Sequence, residues 1–120
     1  MTSTALTNEI KNAETREAAF TEAVQKHGLA YAMQWEAETS LGATYMLGYL
    51  RAAERAITAG HVSPRGAFHR MAELVSSDLA NDNFASGSDN SFARATGDAY
   101  RRAARLMLDF TIPTLRRSLP

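Results

Sequence analysis

Cysteine is absent from this 120-residue chain, which excludes a disulfide framework, thiolate-ligated zinc, an iron–sulfur cluster and a cysteine nucleophile. Proline occurs only three times, and the one sizeable cluster of turn-forming residues runs from Asn81 to Ser91. Little else in the sequence opposes helix. An excess of charge is also missing: thirteen basic side chains balance thirteen acidic ones with His neutral. Such a chain has little non-specific attraction for a polyanion. Long apolar runs are lacking as well. The most apolar window, Leu41 to Leu50, leads directly into Arg51, Glu54 and Arg55, well short of the roughly 20 residues that span a bilayer. Met1-Thr2-Ser3-Thr4 has neither a basic region nor a following apolar stretch, so no signal peptide, no membrane contact and a cytoplasmic address are expected.

What is present describes one globular domain. Hydrophobic residues make up 45% and charged residues 22% of the chain, close to the averages for a single soluble core of this length. Alanine occurs 22 times. Periodicity predicts an all-α bundle of four main helices. Helix one covers Thr4 to His27, with Leu6, Ile10, Ala13, Phe20 and Val24 at three-and-four spacing, Glu22 and Lys26 as an i,i+4 pair, and Gly28 as C-cap. Helix two covers Leu29 to Ala59 and stops at Gly60. Ser63-Pro64 restarts the chain as N-cap and first helical residue, and Phe68, Met71, Ala72, Val75 and Leu79 form the stripe of helix three. Helix four starts near Ser91 with Phe92, Ala95, Ala99, Ala103, Leu106 and Phe110 as its stripe. Pro113 is expected to end it, leaving an arginine-bearing tail.

Two junctions are open in this scheme. His27 and Gly28 alone separate helices one and two, so the chain either turns sharply or bends slightly there. Helix two, if unbroken, would be about 46 Å long, whereas a sphere of the expected size is about 35 Å across. It must kink or overhang; Thr39-Ser40-Leu41-Gly42 is the expected kink site. Charge is also uneven along the chain. Residues 1–40 carry six acidic and three basic groups, and residues 91–120 carry two acidic and six basic groups. Attraction between the two ends in an antiparallel bundle is the simple expectation.

One face of helix two collects Tyr31, Trp35, Glu38, Gly42, Tyr45 and Tyr49, including three of the four tyrosines and the only tryptophan. Amphipathic rings of this kind favour protein interfaces. They can equally fill a core with their hydroxyls turned to solvent or to Glu38. Glu38 discriminates, because a carboxylate within an apolar stripe must be paired, protonated or exposed. Glu17 poses the same question on helix one. Two inward carboxylates suggest a bundle metal centre, but no Glu-x-x-His occurs, and that pairing defines the carboxylate-bridged sites. His69 and Glu73 lie one turn apart without a third ligand. No metal and no other cofactor is expected.

Arg55-Ala-Ile-Thr-Ala-Gly-His61 resembles the Arg-x(4–6)-His signature of the HEPN ribonucleases, which are small helical bundles. The resemblance covers seven residues. It implies an RNA-cleaving dimer in which Arg55 and His61 of two subunits meet in one cleft, with histidine as acid or base on the 2′-hydroxyl. A nucleic-acid-binding alternative rests on Arg94, Arg101, Arg102 and Arg105 of helix four with Arg116 and Arg117 in the tail, beside Tyr100 as a stacking ring. Asp98, four residues from Arg94 and Arg102, and Asp109, four from Arg105, neutralise part of that patch. The Asn81–Ser91 segment is rich in oxygen ligands but lacks the EF-hand pattern; it is expected to be a connector pinned by Phe84. The leading expectation is a non-catalytic protein-binding module, an inhibitor or assembly subunit. It would use Tyr31, Trp35, Glu38, Tyr45 and Tyr49 to hold a protein partner or a second copy of itself. A short chain of this kind fits a phage or other mobile element.

Overall fold

The computed structural model describes residues 3–35, 37–84 and 91–120, with the backbone alone for 35, 37–40 and 91. Among these residues there are helices and no strands, and the helices pack into an all-α bundle. Helix α1 (Thr4–His27) starts at Ser3, whose Oγ accepts the Leu6 N–H at 3.3 Å, meeting one donor that a helix start leaves without a partner. It ends at Gly28 with φ 87° and ψ 163°, a region open to glycine and to little else. The turn is the sharp one. Helix α2 (Leu29–Trp35) follows at once and brings Tyr31 to a shallow hollow shared with Ala19 and Ala23 of α1.

Helix α3 (Ala37–Thr58) is the central element, packed against α1 and α2 and also against two of the three α-helices that follow it. The expected second helix is met by α2 and α3 together, and the expected kink site is helical. Residues 39–42 lie within α3, and residue 36, between α2 and α3, lies outside the described residues. Gly42 serves packing rather than bending. A Cβ built on it would stand 2.9 Å from the Ala103 Cβ and 3.0 Å from the Ala99 carbonyl oxygen. The two helices cross here at a distance only a bare backbone permits.

Gly60, at φ 77°, closes α3 as expected, and the His61 N–H donates back to the Ala56 carbonyl at 3.0 Å. Helix α4 (Pro64–Ala80) then begins on Ser63, whose Oγ accepts the Gly66 N–H at 3.1 Å, with proline in the first turn, where no N–H is needed. Phe68, Met71 and Val75 are buried against Leu47, Leu50 and Ile57 of α3 in the common core, and Ala72 and Leu79 are half-buried beside them. The bundle measures 43 × 31 × 23 Å, longer than a sphere of its mass because α1 and α3 run along its length.

The C-terminal quarter departs from expectation. Helix α5 (Ser91–Leu106) passes into a π-helical turn, Met107–Thr111, and then into α6 (Ile112–Arg117). Pro113 does not stop the chain. It occupies the first turn of α6, and the turn before it is widened, with the Ile112 N–H donating to the Met107 carbonyl five residues back. That wider spacing accommodates a residue that offers no N–H and whose ring presses on the preceding turn. Arg116 and Arg117 consequently lie on a helix, not in a tail.

The extra residue in the turn also rotates everything after it by about 100°. Phe110, expected in the core, is 63% exposed, and Phe92 at the other end of the stripe is 41% exposed. Met107, Thr111, Ile112 and Leu115 are buried instead. Phe110→Ala is accordingly expected to change stability by no more than about 0.5 kcal/mol in thermal denaturation. A loss of about 3–5 kcal/mol, usual for a buried phenylalanine, would mean that the ring is in the core after all.

Candidate functional site

The aromatic face of the second predicted helix divides in the structure. Tyr31 on α2 is 42% exposed and packs on His27, ring centroids 4.5 Å apart. The side chains of Trp35 and Glu38 lie outside the described residues. Tyr45 and Tyr49 on α3 are half-buried, and their hydroxyls turn to a carboxylate. Both donate to Oδ2 of Asp78 on α4, Tyr45 at 2.6 Å. Oδ1 of the same carboxylate accepts the Asn83 side-chain amide at 3.0 Å. Their rings meet edge to face at 5.2 Å, and Tyr45 also touches Phe84 at 5.8 Å and Tyr100 at 5.6 Å.

Asp78 is the residue that sequence reasoning missed. The signal was present: it lies three residues after Val75 and seven after Met71, a carboxylate in line with the buried stripe of α4. The electrostatics follow from the geometry. Burial pushes the Asp78 carboxyl up, but hydrogen bonds from Tyr45, Tyr49 and Asn83 outweigh it and leave the group below its ordinary range. Burial and the Asp78 hydrogen bond push Tyr49 up to about 12. Tyr45 is raised further, by burial first and then by the same carboxylate. The cluster therefore holds a carboxylate between two neutral phenols at neutral pH. Its fixed hydrogen bonds tie α3 to α4 and to the turn that follows.

Above this clasp runs a groove between α3 and α4. Two hollows, of about 140 and 360 Å³, share Tyr49, Ala52 and Leu74 and form one channel. Its floor is α3, with Gly48 and Ala52 exposed and Ala56 half-exposed. Leu74, Arg70, Met71 and Ala67 form the α4 wall, and Tyr45 and Tyr100 stand at the end near Thr44. No Cβ contact constrains Gly48, which has open space around it. Outward positions of a surface helix usually carry charged or polar side chains; these carry almost none. One hollow is smaller than the roughly 300–1,000 Å³ usual for small-molecule sites and the other is near the lower end of that range, and both are open to solvent.

Glu17 meets the central helix. Its Oε2 accepts the Thr44 hydroxyl at 2.9 Å, and after burial its charge is the next cause that raises the Tyr100 hydroxyl. His69 and Glu73 stand 3.6 Å apart on the exposed side of α4. Among the described residues no group of three or more His, Asp or Glu could hold a metal ion, and no helix is long and apolar enough to cross a membrane.

The arginines expected to form a nucleic-acid face are partly committed elsewhere. Arg101 donates to Asp82 at 3.1 Å and to Asp98 at 2.5 Å, and its guanidinium lies 5.7 Å from the Phe84 ring centre. Asp98 thus pairs with the residue three positions on. Phe84 is buried and pins the connector as expected; residues 85–90 of that connector lie outside the described residues. Arg94, Arg102 and Arg105 are exposed on α5, and Arg116 and Arg117 on α6. Arg55 and His61 are exposed on the last turn of α3 and in the turn beyond it. The acidic α1 meets a base on the central helix, Glu14 pairing with Arg51 at 3.0 Å, and Glu22 and Lys26 form the expected pair at 2.6 Å. Neither a protein-family model, nor a curated protein, nor a solved structure matches this chain.

Proposed function

We propose that the chain is a non-catalytic protein-binding module whose contact surface is the groove between α3 and α4, not the aromatic stripe as a whole. The observation that carries this reading is the apolar, small-residue floor at Gly48, Ala52 and Ala56, walled by Tyr45, Tyr49 and Leu74. A floor of glycine and alanine lets a second helix approach closely, and each hollow accepts one of its side chains, as in helix-in-groove recognition. Anchored rings line the site. Their hydroxyls are already satisfied by Asp78, so the rings are held in place before a partner arrives and little side-chain freedom is lost on binding.

Ala52→Glu tests the reading, because the site is exposed and the substitution removes no contact of the fold. The tagged variant is expected to keep the helical circular-dichroism signal of the wild type and to lose the protein that the wild type captures from its host's lysate. Capture unchanged by the glutamate would place the binding surface elsewhere.

A further inference from the structure

We propose that the occupant of the α3–α4 groove is a second copy of this chain, its α3 laid antiparallel along the first. The proposal rests on the groove being a docking surface and names what docks. Charge placement carries it. At one end stands Glu17, held by the Thr44 hydroxyl on the groove's edge. At the other end Arg70 lines the hollow beside Ala56 and Val62. A groove negative at one end and positive at the other repels a copy laid parallel to it. An antiparallel copy is attracted, because a twofold axis across the middle sets the Glu17 end of each copy against the Arg70 end of the other.

The steric pattern agrees with that symmetry. From Thr44 to Ala56 the groove follows α3 for about 18 Å, and its midpoint falls between Gly48 and Ala52. A twofold axis there opposes glycine and alanine, so the two helices can approach closely along the centre of the contact. Zero formal net charge removes any long-range repulsion between copies. A contact of this length lies at the lower end of specific interfaces, so the dimer is a dissociable one. The antiparallel arrangement also keeps the two Arg55–His61 ends apart, at opposite ends of the contact. No shared Arg–His cleft forms across it.

Sedimentation velocity of the full chain, from low to high micromolar concentration, tests the proposal. The wild type is expected to pass from monomer to dimer, and Ala52→Glu to remain monomeric throughout with unchanged helicity. Arg70→Glu should weaken the dimer roughly three- to tenfold, the effect of two exposed ion pairs lost together. The double variant Glu17→Arg/Arg70→Glu, which exchanges the ends, should recover the affinity. A wild type that stays monomeric overturns the proposal, as does a dimer that survives Ala52→Glu or is indifferent to Arg70→Glu. A double variant that folds but stays weak overturns the antiparallel arrangement. If the dimer is absent but capture of a host protein still depends on Ala52, the groove reading stands with a different partner. If neither depends on Ala52, both fall.

Discussion

Asp78→Ala is expected to lower the unfolding free energy by about 2–4 kcal/mol, since it removes the acceptor of two phenolic donors and of the Asn83 amide at once. The upper end of the range applies to fully enclosed groups, and water reaches part of this cluster, so a value in the middle is the expectation. Asp78→Asn retains an acceptor oxygen without the charge and should lose less. The pH dependence has a definite sign. The folded-state pKa of Asp78 is depressed, so its contribution is fully present above the unfolded carboxylate value near 4 and disappears as pH falls through the lower folded value. In Asp78→Ala the acid side of the stability profile should flatten accordingly. On the alkaline side the tyrosines act the other way. Their contribution is present below the ordinary value near 10 and is lost as pH rises toward about 12, where Tyr49 ionises in the folded state. Absorbance titration of the phenols should show this delayed ionisation in the native protein and its disappearance in denaturant. If Asp78→Ala melts like the wild type at pH 7 and pH 3 alike, the clasp does not hold α3 to α4.

The second large effect is at Gly42, where Gly42→Ala is expected to destabilise by about 1–3 kcal/mol in spite of alanine's better helix propensity. Propensity alone would add up to about 1 kcal/mol of stability. It loses here because the new methyl group meets the Ala103 Cβ at 2.9 Å and the Ala99 carbonyl at 3.0 Å, and neither is the flexible end of a long side chain. The helices must separate, and overpacking of that kind costs a few kcal/mol. Gly48→Ala is the matched control. It lies on the same helix with nothing within 4 Å of its added Cβ, so propensity should win and the melting temperature rise. Both variants are compared at dilute concentration by thermal denaturation. A stabilised Gly42→Ala would show that α3 and α5 do not approach as closely as described.

These two residues mark the limit of what one-dimensional reading offers. Helix starts and stops that depend on neighbouring residues were largely legible: Gly28, Gly60 and Ser63-Pro64 all act as expected, while the caps Ser3, Asn81 and Ser118 were not foreseen. The stripes of α1 and α4 were legible for the same reason, because a straight helix preserves its period. Gly42 was visible as unusual, but its purpose depends on Ala99 and Ala103, more than fifty positions away. Tyr45 and Tyr49 stood out as rings sharing a face. That they answer to Asp78, 33 and 29 positions on, is set by how two helices cross. Arg101 looked like part of a cationic patch until the fold brought Asp82 to it. The groove itself is a relation between two helices, and the sequence reading singled out neither its α3 floor nor its α4 wall.

The C-terminal departure has a different origin, and one consequence reaches beyond this molecule. From Ala103 to Leu115 the inward positions would be spaced as an ordinary α-helix requires if the turn at Met107–Thr111 held one residue fewer. Phe110 is that surplus residue in effect, expelled to the surface so that Ile112 and Leu115 can stay inside. A sister protein lacking one amino acid at this point, and carrying a residue other than proline at position 113, would therefore keep the same interior on an uninterrupted rod. Loss of that one residue together with the proline is neutral for the core and changes only what the outside displays.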